Sequence, residues 1–265
     1  MSKYVDPGLK SAVRDYFKKN YVQLAAVPRR QTQLLEVAAL SLVVEHYRCC
    51  GFTIVSRNVR AGRIRVKTGA RGYPWNFSHF LCERDNDRRE IHSNLSVYSC
   101  RDDGGIYCLD VGVVQTGIVP VDKIDEWSAA ANDALFTFAE VKKLVVYPML
   151  LAHFVGIVHE VKSEFLKGET PEGFAEDADF DPALLTVSGI HGGSNVILDG
   201  FDRRGIRAQV VSYIDVRIRE YLRGEFEVSP LLVHGGAQRL PEPAVPNYAG
   251  PSADGDEPAV EVVEF

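Results

Sequence analysis

The chain has 265 residues, of which 46% are hydrophobic and 25% charged, as in an ordinary globular protein of one large domain. Its net charge of −6 argues by itself against a nucleic-acid-binding protein. However, residues 241–265 contain six acidic residues and no Lys or Arg, so residues 1–240 are electrically neutral. We therefore predict a folded domain with an N-terminal helical segment over 1–240. We predict a disordered acidic tail over 241–265, which has too little apolar surface to fold alone.

The cysteine pattern and the hydropathy exclude several classes of protein. The five cysteines form no CxxC pair and no zinc-ligand spacing, and they are Cys49, Cys50, Cys82, Cys100 and Cys108. With no signal-peptide pattern at the start, this predicts a reducing, cytoplasmic location. The most apolar run, Leu144 to Val158, is too short to cross a bilayer and predicts no membrane partner. P-loop, GxGxxG and HExxH motifs are absent.

Two helices and a strand are predicted in the first 55 residues. Residues 8–22 have the apolar spacing of a short amphipathic helix. Leu34 to Tyr47 is apolar nearly all round, as in a buried helix, and Glu36 is the exception near its start. This helix ends at Gly51, and Phe52 to Val55 follows as a strand.

A basic stretch then precedes a group of aromatic residues. Residues 57–71 carry six cationic side chains and no acidic one, and these are Arg57, Arg60, Arg63, Arg65, Lys67 and Arg71. Ile64 and Val66 alternate with three of them, which predicts an exposed strand with one basic face. Tyr73, Trp75 and Phe77 follow, and basic residues beside aromatic ones suit phosphates and unstacked bases. A solvated hairpin above a core aromatic cluster is an equal alternative.

Three further strands carry isolated charges. Glu90 to Tyr98 and Ile106 to Val114 are the first two, and Asp110 is a lone carboxylate inside the second. Leu135 to Val146 is the third and has no polar face, so we expect it to be buried on both sides. Side chains alternate along it, so Phe136, Phe138, Glu140, Lys142 and Leu144 share one face and Lys143 lies on the other. A buried Glu-x-Lys is costly unless it is paired or bound to a metal.

The last hundred residues predict mixed elements. A helix begins at Pro148, and an acidic, solvated loop spans 167–182. Leu184 to Ser188 and Val196 to Phe201 are predicted strands, and Val210 to Leu222 is the last predicted helix. Four histidines show no spacing typical of metal ligands, and these are His79, His92, His153 and His191.

The order of these elements and charges resembles the PD-(D/E)xK superfamily, the restriction-endonuclease-like nucleases. The matching residues are Asp110 in Tyr-Cys-Leu-Asp-Val, the triplet Glu140-Val141-Lys142 on the next strand, and Glu36 in the preceding helix. The resemblance covers roughly residues 31–200 and rests on a short motif. The proline that often precedes the first aspartate is replaced by Leu109. The implied fold is α/β, a restriction-endonuclease-like core with a central mixed β-sheet flanked by α-helices.

The resemblance also implies an activity. We expect an Mg²⁺-dependent endonuclease that hydrolyses phosphodiester bonds, most often in DNA, in restriction, repair or phage defence, with Mn²⁺ as a possible substitute. Asp110 and Glu140 suit Mg²⁺, which prefers carboxylate oxygens, and the Val141 carbonyl is the further ligand that the family implies. Lys142 would position the attacking water or stabilise the phosphate, and Glu36 would be a secondary catalytic or metal residue. By analogy, a homodimer or a targeting protein is a possible partner.

Other interpretations stay open at this point. The Glu140/Lys142 pair could be a surface ion pair, Asp110 could bind backbone amides, and Glu36 could be an acid favoured by the helix dipole. A nuclease-like fold could also bind nucleic acid without cutting it. A third possibility is an adaptor subunit whose acidic tail docks on a basic surface.

Overall fold

The computed structural model describes residues 7–101, 104–119 and 129–222, with Ser229 and Leu231. Seven strands form one sheet, and their order in space is their order in the chain. The strands are β1 (Thr53–Arg57), β2 (His79–Arg84), β3 (Asp87–Tyr98), β4 (Ile106–Gln115), β5 (Leu135–Lys142), β6 (Ala183–Thr186) and β7 (Gln209–Val211). The predicted tail over 241–265 lies outside the described residues.

Five α-helices accompany the sheet in this part of the chain. They are α1 (Pro7–Asn20), α2 (Gln31–Cys49), α3 (Pro148–Val161), α4 (Gly192–Arg204) and α5 (Ile214–Leu222). Short 3-10 helices lie at Pro74–Asn76 and Ser163–Lys167. Pro148 occupies the first turn of α3, where its missing N–H costs no helical hydrogen bond.

The sheet is mixed. Strands β1 to β5 pair antiparallel, whereas β5, β6 and β7 pair parallel. One core lies between the sheet and helices α1, α2 and α5. A second core lies between the other face and helices α3 and α4. The predicted α/β class with a central mixed sheet flanked by helices is therefore confirmed.

Strand β5 departs from simple alternation. The pairing of β4 with β5 shifts between Val113 and Val114, because Val113 pairs with Thr137 whereas Val114 pairs with Leu135. The extra residue, Phe136, therefore joins the α2-side core, although Phe138 packs in the α3-side core. The prediction that Phe136 shares the face of Phe138 is wrong for this reason.

The predicted end of this strand is also too late. Strand β5 stops at Lys142, and Leu144 and Val145 are 52% and 46% exposed. The apolar run that follows Lys142 therefore does not extend the buried strand. Burial on both sides holds for Leu135 to Val141 and not for Leu144 and Val145.

Two further predictions near the C-terminus are corrected. Val196 to Phe201 is helical, as part of α4, because Ser194, Leu198 and Phe201 are buried at helical spacing while Val196 is 67% exposed. The predicted helix over 210–222 is divided into β7 and α5. The division falls at Tyr213, whose positive φ of 54° does not belong to a helix.

The acidic loop over 167–182 is partly buried instead of solvated. Arg89 donates to both carboxylate oxygens of Asp179, each at 3.1 Å, and Arg207 donates to Asp181 at 2.9 Å. Asp179 and Asp181 are almost fully buried. These pairs satisfy charges that burial would otherwise penalise, and they anchor the loop across the sheet.

Candidate active site

Strands β4 and β5 stop pairing at the position where the predicted site begins. Their paired residues run from Val114 and Leu135 to Val111 and Ala139. Beyond this point, the backbone N–H of Val141 donates to Asp110 Oδ2 at 2.7 Å, and the N–H of Asp110 donates to Glu140 Oε1 at 3.4 Å. The two carboxylates thus take the place of the ladder hydrogen bonds.

Lys142 joins the two carboxylates. Its Nζ lies 2.8 Å from Glu140 Oε2 and 3.4 Å from Asp110 Oδ2. Asp110 and Glu140 therefore lie on adjacent antiparallel strands with their carboxylates a few ångströms apart, as the sequence predicted. Lys143, the next residue, is exposed and takes no part in these contacts. Lys143 lies just beyond the end of β5, so its exposure follows from the end of the strand and not from alternation along it.

The group carries unbalanced negative charge. Burial, together with the charge on Asp110, raises the pKa of Glu140 to about 7, and Lys142 only partly opposes this rise. Burial alone would lower the pKa of Lys142, but Glu140 and Asp110 outweigh it and raise the pKa. Two neighbouring carboxylates with one ammonium are a donor set that a divalent, oxygen-binding cation fits, because it would relieve their repulsion.

Glu36, on helix α2, lies close enough to this group to interact with its charges. It is half-buried on α2, and its Oε2 accepts a hydrogen bond from Asn94 Nδ2 at 3.1 Å. Burial raises the pKa of Glu36, the Asn94 hydrogen bond opposes this, and the charge on Asp110 adds to the rise. Glu36 therefore interacts electrostatically with Asp110 and Lys142, whereas Asp110, Glu140 and Lys142 are in direct contact.

Asn94 and Lys67 also lie next to the candidate site, although the sequence did not predict this position for either residue. Asn94 lies opposite Asp110, because Ser93 pairs with Val111 and Leu95 with Leu109. Its φ of 48° is in the left-handed region, which Asn tolerates better than most residues. Asn is depleted in strands, and its place in the middle of β3 could have marked the position.

Lys67 is separated from the other basic residues. It is buried, and its Nζ donates to the carbonyl oxygen of Asn94 at 2.8 Å while Asn94 Nδ2 donates to the Lys67 carbonyl oxygen at 3.1 Å. Burial lowers the pKa of Lys67. The prediction that Lys67 belongs to an exposed basic face is wrong, because its ammonium holds the backbone of β3.

The remaining cations of the basic stretch are exposed, and they are Arg57, Arg60, Arg63, Arg65 and Arg71. Apart from Arg57 on β1, they lie in a loop and not on the predicted strand, since Ile64 makes only an isolated bridge to Leu24. Arg60 donates to the Trp75 carbonyl oxygen at 3.1 Å. Tyr73 and Trp75 stack with ring centroids 4.5 Å apart. The structure thus holds arginines and flat aromatic rings on one exposed loop.

A second polar group lies on the same sheet. His79, Glu90 and His92 bring their ligand atoms within 4.8 Å of one another on β2 and β3. Sequence spacing gave no sign of this group, because His79 and His92 belong to different strands that only the fold brings together.

The helices of the described residues were also compared with the length that a membrane requires. Among the described residues, no helix combines the length and apolarity needed to cross a membrane. No protein-family model matches the chain, and neither curated proteins nor solved structures give a match.

Proposed function

We propose that the chain is a divalent-cation-dependent endonuclease of the PD-(D/E)xK type, acting on DNA. The observation that carries the proposal is the contact of Asp110, Glu140 and Lys142 where β4 and β5 separate. Asp110 and Glu140 each accept a backbone N–H here, but neutral amide side chains could accept these bonds without the cost of burying charge. A catalytic purpose explains why the sequence keeps three charges there.

Asp110 and Glu140 are the residues that would hold Mg²⁺ or Mn²⁺, with the Val141 carbonyl as the ligand that the resemblance adds. When bound, such an ion supplies positive charge to the phosphodiester and lowers the pKa of a water molecule. Burial and the neighbouring Asp110 charge hold Glu140 in a costly state at neutral pH without a cation. The protein's own geometry therefore favours cation binding at this position.

Lys142 has a different part in this proposal. Its raised pKa keeps the ammonium charged at neutral pH, so it acts as a hydrogen-bond donor and not as a general base. Its position beside both carboxylates suits it to orient the attacking water and to stabilise negative charge on the phosphate oxygens. Glu36, which interacts with the charges of Asp110 and Lys142, tunes the electrostatics from α2.

The exposed arginines with Tyr73 and Trp75 are the proposed DNA-contacting surface. Guanidinium groups bind phosphates, and stacked aromatic rings offer platforms for unpaired bases. The proposal no longer includes Lys67, whose ammonium is engaged inside the protein. The Arg65 guanidinium carbon lies 5.3 Å from the centroid of the Phe77 ring, so a cation–π contact helps to position this cation on the loop.

Replacing Arg60, Arg63 and Arg65 by Ala should weaken binding to DNA of any sequence. It should also reduce the slope of log affinity against log salt concentration by up to roughly 0.9 for each phosphate that the variant no longer neutralises. Fluorescence anisotropy with a labelled duplex at several salt concentrations measures this. Replacing Lys10, Lys18 and Lys19, three exposed residues of α1, makes the same change in net charge and is the matched control. An equal change of slope in both triple variants would contradict a specific role for the loop.

Cleavage itself is tested with supercoiled plasmid. The full chain should nick plasmid DNA with Mg²⁺ or Mn²⁺, and EDTA should stop the reaction. Binding of DNA without nicking under either ion would reject the enzyme and favour the nuclease-like binding protein. Neither binding nor nicking of DNA would contradict the proposal as a whole.

A further inference from the structure

The group of His79, Glu90 and His92 is built across two strands. Phe80 pairs with Ile91, so the preceding residue His79 lies beside the following residue His92. Their rings stack with centroids 4.6 Å apart and planes inclined by 17°. Glu90 is two residues before His92 on the same strand and so projects from the same face. Three potential metal ligands therefore converge on one point of the sheet.

The group opens into a cavity. Ile91 belongs to the α2-side core, so Glu90 and His92 project from the opposite face of the sheet. A cavity of about 450 Å³ lies there, and all three residues line it together with Arg57, Trp75 and Val119. Glu90 and His92 are buried and His79 is half-buried. An ion at this point would be shielded on the side of the sheet and accessible from the cavity.

Two hydrogen bonds hold the Glu90 carboxylate in position within the group. His92 Nε2 lies 3.0 Å from Glu90 Oε2, and the backbone N–H of Gly117 donates to the other oxygen, Glu90 Oε1, at 3.1 Å. The amide orients the carboxylate, as outer partners do for metal-binding carboxylates. Oε2 and Nε2 are therefore hydrogen-bonded to each other, and a bound ion would take the place of the proton that they share.

We propose that His79, Glu90 and His92 bind a divalent transition-metal ion of the zinc class, with a coordination position open to the cavity. Two imidazoles and one carboxylate are a ligand set that suits Zn²⁺, and three protein ligands leave a further position free. Bond lengths of about 2.0–2.1 Å place tetrahedral ligand atoms about 3.4 Å apart. The ligand atoms lie within 4.8 Å of one another, and metal binding would require the stacked imidazoles to turn so that each directs a nitrogen at the ion.

This site is distinct in chemistry from the Asp110/Glu140 group. Mg²⁺ prefers oxygen ligands, whereas imidazole nitrogens select later transition metals. Strand β3 nevertheless connects the two neighbourhoods, since His92 is two residues from Asn94, which lies opposite Asp110 on β4. A small cavity is lined by Lys67, Pro74, His92 and Asn94. A bound ion would therefore tether the start of β2, immediately after the arginine-bearing loop, to the strand beside the candidate active site.

Titration of the metal-free full chain with ZnCl₂, in competition with a chromophoric chelator, tests the proposal. We expect one equivalent of Zn²⁺ to bind to the wild-type chain and a rise in its melting temperature. His79→Ala and His92→Ala should each weaken this affinity at least tenfold, because each removes one of three ligands. His153→Ala is the matched control, since His153 is exposed on α3, and its affinity should equal that of wild type. Asp110→Asn should also keep the Zn²⁺ equivalent, which separates this site from the proposed Mg²⁺ site.

Three outcomes would overturn the proposal. These are no uptake of Zn²⁺ by wild type at micromolar concentration, unchanged affinity in both histidine variants, and loss of the equivalent in Asp110→Asn. If the histidine variants fail to fold, as circular dichroism would show, Co²⁺ binding to wild type decides. Intense visible absorption expected of four- or five-coordinate Co²⁺ with nitrogen ligands supports the site. The weak spectrum of octahedral, oxygen-bound Co²⁺ rejects it. The result is independent of plasmid nicking, which uses Mg²⁺.

Discussion

Asp110→Ala and Glu140→Ala should each reduce Mg²⁺-dependent nicking of plasmid DNA below detection. Each substitution removes one of the two carboxylates that meet between β4 and β5, and no other described carboxylate except the more distant Glu36 is coupled to that point. A single remaining carboxylate would bind the cation weakly and leave its charge poorly placed. Glu36→Gln should be milder and give a slower rate at most, because Glu36 hydrogen-bonds to Asn94 and acts on Asp110 only through its charge.

The comparison of Lys142 with Lys143 is the sharpest part of this experiment. Lys142→Ala should lose most of the activity, by about 10²-fold or more, while Mg²⁺ affinity is retained. The reason is that its ammonium serves the water and the phosphate instead of the ion. Lys143→Ala removes the same charge one position further along, but this side chain is exposed and should leave the rate unchanged.

Initial rates of nicking measured at saturating Mg²⁺, with Mg²⁺ affinity measured separately, distinguish these effects. Equal losses for Lys142→Ala and Lys143→Ala would mean that positive charge near the strand end suffices. The contacts of Lys142 with Asp110 and Glu140 would then have no catalytic meaning. Full activity in Asp110→Ala would remove the nuclease proposal altogether.

The cluster of charges could be predicted from sequence because it depends on local rules. Alternation along β5 places Glu140 and Lys142 on one face, and this rule holds at the end of the strand, beyond the bulge at Phe136. Sequence order also brings β4 next to β5, since consecutive strands of this sheet are neighbours. The partner Asp110 follows from these two facts together.

The residues whose burial was predicted wrongly are buried by partners that lie far away in the chain. Lys67 follows the same alternating pattern as its arginine neighbours, and only its contact with Asn94, 27 residues away, shows that it is buried. Asp179 and Asp181 look like members of a solvated acidic loop until Arg89 and Arg207 are placed beside them. Charge runs are normally solvated, and no local pattern reveals a partner supplied by another strand.

Sequence spacing does not predict the pairing of His79 with His92, for a related reason. Spacing rules recognise ligands on one helix turn or one tight loop, whereas His79 and His92 meet through the pairing of β2 with β3. The Val196 to Phe201 segment shows a different weakness. Short apolar runs are ambiguous between strand and helix, and here the neighbouring buried Ser194 and the glycines before it belong to the helix start.

The stability of the metal-free protein should fall as pH rises from about 5 to about 8, because of Glu140. Burial and the Asp110 charge raise the pKa of this carboxyl to about 7 in the folded state, above its ordinary value of 4.5. The folded chain therefore holds this proton more tightly than the unfolded chain does. Its stabilising contribution is complete below pH 4.5 and is lost as pH rises through 7. The loss amounts to roughly 2–3 kcal/mol in the free energy of unfolding.

Glu140→Gln removes this titration. In EDTA at about pH 8 the variant should be more stable than wild type, whereas near pH 4.5 the two should converge. Urea denaturation at several pH values measures this difference, and comparing variants cancels other titrating groups, such as His46, whose pKa burial lowers to about 4. Glu169→Gln, at an exposed position, is the control and should follow wild type.

Mg²⁺ at about pH 8 should increase the stability of wild type and not that of Glu140→Gln, since only the ionised carboxylate gains from the cation. A constant difference between Glu140→Gln and wild type across this pH range would show that burial and Asp110 do not raise the pKa of Glu140, and the main physical reason for a cation at this site would disappear.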